Sequence, residues 1–189
     1  QTMLKLGLEQ SYYDFAVGER WRFVVVDGMD ISLHGYPKEH DKRRQAIAML
    51  KALKDRKARN AVIWNGGVGK QQLAWIESVL QDAADKQQRV VLFCHFPVHS
   101  EAGDASLLLW NHQEITEALD RYPCVVGWFN GHHHSGGYAM VDGVHHVTFM
   151  GMVEAPERNA YATVDVYESR LVVNGVDKQP SHTLKLEPR

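Results

Sequence analysis

Cys124-Val125-Val126-Gly127-Trp128-Phe129-Asn130-Gly131-His132-His133-His134-Ser135-Gly136-Gly137 is the stretch that decides how the chain folds. Its first six residues form an apolar run of strand length, the pattern of a strand buried on both faces. Three imidazoles follow, with glycine on either side. In an extended segment side chains alternate, so His132 and His134 would share one side and His133 would face away. A weaker copy of the pattern lies upstream. Arg89-Val90-Val91-Leu92-Phe93-Cys94 is a second apolar run, and it ends in His95-Phe96-Pro97. Strand ends along one edge of an α/β sheet are where such folds assemble sites. The pattern points to a metal centre holding His95, His132 and His134, although spacing alone leaves a solvated histidine-rich turn equally open.

The rest of the chain supplies a frame for these two strands. Tyr12 to Val17 and Trp21 to Val26 are predicted to form an antiparallel hairpin around Gly18-Glu19. Apolar residues recur at helical spacing over Lys38 to Lys57 and over Lys70 to Lys86. A third helix is expected over about Ala105 to Arg121. Beyond the histidines, Gly137 to Val141, Val144 to Met150, Ala160 to Glu168 and Arg170 to Gly175 are short strand candidates. Asp142-Gly143 carries a hairpin signal, and a Pro156-Glu157-Arg158-Asn159 loop separates two of the strands. Alternating helices and strands followed by a meander suggest a layered α/β fold with two sheets in one domain over residues 1–189.

Composition narrows the function. A net charge of −2 gives no footprint for nucleic acid or an anionic membrane. No apolar run approaches the ~20 residues that span a bilayer. Cys94 and Cys124 both fall inside apolar strands, so buried, reduced thiols and a cytoplasmic setting are expected. The chain opens on Gln1 instead of Met, an opening expected of a protein that begins further upstream.

Among the eleven histidines, His34, His40, His112, His145, His146 and His182 lack a distinguishing context and are expected to be non-ligands. Three neutral imidazoles do not balance a divalent cation. Asp27 and Asp30, just past a strand, are the nearest carboxylates by position, but a turn or cap role suits them better. Gly66-Gly67-Val68-Gly69-Lys70 imitates a phosphate loop, yet Trp64 and Gln71 occupy positions where that motif needs Gly and Ser or Thr. Asn65 with Gly66 and Gly67, and His99 after His95, are candidate phosphate or substrate contacts.

These residues resemble the closing half of the calcineurin-like metallophosphoesterases, in which a strand-end histidine and a Gly-His-x-His motif feed a two-metal centre. Gln72-Leu73-Ala74-Trp75-Ile76 is similar to that family's helix. Trp64-Asn65-Gly66-Gly67, Trp110-Asn111, Gly136-Gly137-Tyr138 and Ala162-Thr163-Val164-Asp165-Val166-Tyr167 look more narrowly like the manganese-dependent ADP-ribose/CDP-alcohol diphosphatases. The resemblance implies an αββα sandwich of two mixed sheets flanked by helices, here lacking its N-terminal part. It also implies two divalent metals, manganese first and iron or zinc as alternatives, with His95 and His132 on one and His134 on the other. The implied reaction is two-metal hydroxide attack on the phosphoanhydride of a nucleoside diphosphate derivative. The family's Asp-x-His, Gly-Asp-x-x-Asp and Gly-Asn-His motifs would lie upstream of Tyr12 and are not present. The expectation is therefore the C-terminal portion of a longer enzyme, weakly active or inactive alone, with no catalytic base assigned. A metal-free or non-catalytic binding module is the alternative.

Overall fold

The computed structural model describes residues 5, 7–154 and 157–187. Gln1, and Pro156 of the expected loop, lie outside them. Strand β1 (Tyr13–Val17) turns through Gly18, at φ +61, into β2 (Trp21–Val25), with Val17 opposite Trp21. From β2 the sheet runs on in parallel through β3 (Arg89–Phe93), β4 (Val125–Asn130) and β6 (Val144–Thr148). Strand β5 (Gly137–Val141) closes the far edge antiparallel, giving the order β1-β2-β3-β4-β6-β5. The β5–β6 hairpin turns on Asp142 and Gly143, both at positive φ, the geometry that the Asp-Gly pair favours. Every residue of β4 is buried, as its unbroken apolar run requires.

Among the described residues three helices flank this sheet. Helix α1 (Asp41–Asp55) buries Ala46, Leu50 and Leu53 in a small cluster with Ile31 and Trp110. Helix α2 (Lys70–Asp85) lays Ile76, Val79, Leu80 and Ala83 on one face of the sheet. Helix α3 (His112–Leu119) adds Ile115 and Leu119 to the same core. Helix α3 starts seven residues later than the apolar pattern suggests, because the carbonyls ahead of it are already taken. Asn65 Nδ2 donates to Ser106 O and Leu108 O, and Asn60 Nδ2 donates to Leu109 O and Trp110 O.

The opposite face packs against an antiparallel sheet of β7 (Ala160–Val166), β8 (Arg170–Asp177) and β9 (His182–Lys185). Leu171, Val173, Leu184 and Leu186 meet Val91, Val126, Phe129 and Val147. Strand β9 was not expected, although Thr183-Leu184-Lys185-Leu186 alternates, with Leu184 and Leu186 both buried. Among the described residues the layers run helix, sheet, sheet; a second helical layer is not formed. Aromatic rings cross the inner face of the larger sheet in a row: Tyr13, Phe15, Phe23, Phe93, Phe129 and Phe149, with successive centroids 5.4–6.5 Å apart. The smaller sheet covers Phe129, while Tyr13, Phe15 and Val17 stay exposed.

His145 and His146 stand side by side in β6. His146 is 5% exposed, and its Nδ1 makes no hydrogen bond among the described residues. Burial, reinforced by the charges of His99 and His145, pushes its pKa down to about 4. An unfolded chain takes up that proton near pH 6.5, the folded one only near 4. Stability from this group is thus complete above pH 6.5 and is lost as the pH falls toward 4, on the order of 3 kcal/mol in all. Urea unfolding between pH 7.5 and 4.5 should show that decline, and His146→Gln should make it shallower; an unchanged slope would place the titration elsewhere.

Candidate metal centre

Parallel pairing of β3 with β4 brings their C-terminal ends together. Past the strands the ladder continues, with Cys94 N–H donating to Phe129 O and Gly131 N–H to His95 O at 3.1 Å. This places the imidazoles of His95 and His132 face to edge, with His95 Nε2 3.1 Å from His132 Nδ1. Phe96 packs against both rings. The loop is not extended, as the alternation argument assumed. His132 sits at φ +63, a left-handed conformation that is costly for a residue with a Cβ and characteristic of functional loops.

The proton on His132 is fixed by its other neighbour. Asn65 is fully buried, and its Nδ2 donates to Asn60 O, Ser106 O and Leu108 O. Its Oδ1 is left to accept, and His132 Nε2 stands 3.0 Å away. His132 therefore carries its proton on Nε2 and turns the Nδ1 lone pair toward His95. An amide or carboxylate behind a ligand imidazole orients it in this way in many metal sites. Burial, then the neighbouring His95, His134 and His133, pushes the His132 pKa down to about 4. Burial and His134 also lower that of His95. Both rings are neutral at neutral pH, the state a cation requires.

His134 leaves the pair and meets Glu154, with Nδ1 2.9 Å from Oε1. A carboxylate accepts, so Nδ1 carries the proton and Nε2 keeps its lone pair. Glu154 closes a 3₁₀ turn (Met152–Glu154) anchored by Gly151 N–H to His134 O. A Cβ on Gly151 would lie 2.7 Å from the His134 ring, so glycine is needed for this approach. No pattern in the sequence marks Glu154.

The remaining expected residues are placed as follows. Asn65 stands behind His132, and Gly66 and Gly67 are engaged in the protein: Gly66 O accepts Trp110 N–H, and Gly67 pairs with Ile31. His99 turns to the other side, its ring 5.4 Å from that of His146 in a small cavity with Thr116, Leu119 and Asp120. Asp27 accepts Met29 N–H, and Asp30 accepts from Gly69 N–H, at the start of helix α2, and from Lys42. Among the described residues no three His, Cys, Asp or Glu side chains form a complete metal cage. The facing nitrogens of His95 and His132, both neutral and one with its tautomer locked, fit part of the donor set of a divalent metal, and carboxylates are the missing part.

Two packed sheets, with helices on one side and histidines at adjacent parallel strand ends, define a metallophosphoesterase-like fold. The crystal structure of a dimetal phosphatase from Danio rerio superposes with a TM-score of 0.87 at 30% identity, over 98% of this chain and 63% of that one. The chain is homologous to the manganese-dependent ADP-ribose/CDP-alcohol diphosphatases. It is 34% identical to the relative of that name from Oryza sativa subsp. japonica, over 99% of this chain and 63% of the relative. It is 38% identical to the one from Arabidopsis thaliana, over 90% and 59%. The chain thus spans about three fifths of the length of these relatives. No family model matches it.

Replacing Asn65 by Ala should remove a donor from three backbone carbonyls and release the His132 tautomer. Denaturant unfolding should show a loss of at least about 2 kcal/mol. Calorimetric titration with Mn²⁺ should show affinity reduced roughly 10- to 100-fold. Unchanged Mn²⁺ affinity would separate Asn65 from the metal centre.

Proposed function

We propose that this chain is the histidine-bearing portion of a metal-dependent diphosphatase that hydrolyses the phosphoanhydride of nucleoside diphosphate derivatives such as ADP-ribose or CDP-alcohols. The observation that carries this reading is the locked pair: His132 Nδ1, its proton displaced to Nε2 by Asn65, held 3.1 Å from His95 Nε2 at the ends of adjacent parallel strands. His95 and His132 would hold one divalent ion and His134 a second, manganese being favoured by the names of the relatives. When bound, such ions polarise phosphoryl oxygens and make water acidic enough to attack at neutral pH. Oxygen ligands to balance their charge would come from the part of the relatives that this chain does not span.

The chain's own residues prepare the site. Burial keeps His95 and His132 unprotonated. Asn65 and Glu154 hold the protons on His132 Nε2 and His134 Nδ1, leaving the lone pairs of His132 Nδ1 and His134 Nε2 as the donors that would hold the ions. The β4 strand and the Gly131–His95 backbone bond fix the spacing of the two loops. A nucleotide derivative is the proposed partner. No helix among the described residues is long and apolar enough to cross a membrane. Two buried cysteine thiols support a cytoplasmic setting.

Hydrolysis of ADP-ribose, CDP-choline and bis(p-nitrophenyl) phosphate tests the reading in the chain alone and in a version extended upstream as in the relatives. The extended protein with Mn²⁺ should cleave at least one of the three, and chelation should stop it. His132→Ala and His134→Ala should each lower kcat/KM by roughly 100-fold or more. Failure of the metal-loaded extended protein on all three substrates would overturn the assignment.

A further inference from the structure

Val62 to Asn65 form a tight turn, closed by Asn65 N–H to Val62 O at 3.2 Å. Its two tip residues are apolar and exposed: Ile63 at 47% and Trp64 at 57%. An exposed indole usually sits on a loop that can move. This one does not. Val62 O accepts Trp110 Nε1–H at 3.0 Å, from a tryptophan that is itself buried. Asn60, two residues before Val62, is tied to Leu109 O and Trp110 O. Asn65, one residue past the tip, is tied to Ser106 O, Leu108 O and His132. Both ends of the turn are therefore anchored in the core, and the indole is held out on a fixed base.

That base is shared with the metal centre. Adjacent Cα atoms are about 3.8 Å apart, so Trp64 follows the backbone directly into the residue that grips His132. Trp21, Trp110 and Trp128 are buried, and Trp75 is half-buried against the helix-side core. Trp64 alone among the five tryptophans is exposed. Large aromatic rings fixed in solvent next to a polar site are typical of surfaces that stack on planar ligands.

We propose that Trp64 is the stacking platform for the base of a nucleotide whose phosphate lies at the His95–His132 pair. This rests on the diphosphatase reading for the phosphate end and adds the recognition of the other end. A nucleoside 5′-phosphate carries its planar base one sugar away from the phosphate, so a single rim has to serve both. Stacking tolerates any base, because each presents a π-face, which suits a site that accepts both adenine and cytosine derivatives. Specificity would then be for the presence of a base more than for its identity.

Trp64 is the exposed indole among five tryptophans, so the part of the chain's emission that is lost in Trp64→Phe reads the event. The Mn²⁺-loaded chain is titrated with AMP and CMP, and with ribose 5-phosphate and phosphocholine as phosphates lacking a base. AMP and CMP should quench the emission, and the base-free phosphates should not. Trp64→Ala should weaken AMP binding by roughly 5- to 100-fold by calorimetry, with an unchanged melting temperature since the side chain is exposed. Trp64→Phe should retain most of the affinity. Equal AMP affinity in Trp64→Ala, equal quenching by ribose 5-phosphate, or no quenching by any nucleotide would each overturn the platform. So would a blue-shifted Trp64 emission in the upstream-extended protein before nucleotide is added, which would mean that protein covers the indole. The diphosphatase reading is judged separately, by the hydrolysis assay.

Discussion

The carboxamide of Asn65 is the contact on which the site depends. Its Nδ2 satisfies carbonyls from two loops, at Asn60 and at Ser106 and Leu108, while Oδ1 accepts the hydrogen bond from His132 Nε2–H. No water reaches this side chain, so each partner would be left unsatisfied without it, at a cost of about 1–3 kcal/mol per buried group. The same amide stops helix α3 from starting earlier, fixes the base of the Trp64 turn, and chooses which nitrogen of His132 faces His95. Fold and chemistry meet in one side chain whose polarity makes it improbable in a core except with every bond made.

The larger sheet supplies the other half of the geometry. Four parallel strands, covered by helices on one face and by three antiparallel strands on the other, point their C-terminal ends the same way. Adjacent loops at such an edge start about a strand spacing apart, close enough for an imidazole from each to touch. The left-handed backbone at His132 and the glycine at 151 then bend the second loop so that its two outer histidines part. One turns to Asn65 and the other to Glu154. The two rings are thus oriented by different partners, through opposite nitrogens.

Much of this was readable from the residues, and the remainder has identifiable physical causes. Buried parallel strands such as β3 and β4 announce themselves because both faces must be apolar. Helices α1 and α2 do so because one stripe must be. The Asp142-Gly143 turn was legible from backbone chemistry alone. Strand β9 was missed because four alternating residues near a terminus carry little weight, although Leu184 and Leu186 held the signal. The start of α3 was misjudged because local periodicity knows nothing of Asn60 and Asn65, which lie over 40 positions away and take its carbonyls. The sequence singles out the three histidines but not their arrangement: alternation assumes an extended chain, and His132 has a positive φ. Asn65 reads from the sequence as a candidate phosphate or substrate contact, since a polar residue beside two glycines looks like a loop contact, whereas its side chain is fully buried. Glu154 left no trace, because its partner is set by tertiary approach across Gly151.

One further feature concerns sulfur. Cys94 precedes His95 directly, yet its thiol is buried among α2 and sheet residues, and that burial pushes its pKa up to about 12. Cys124 is likewise inside, its Sγ–H directed to Leu80 O. The Cys94 thiol therefore keeps its proton in the folded protein, and only a thiolate attacks alkylating agents or takes a soft metal. Burial shields both sulfhydryls from iodoacetamide until the sheet opens, and the labelling rate of Cys94 becomes a clock for local unfolding of the strand that leads into His95.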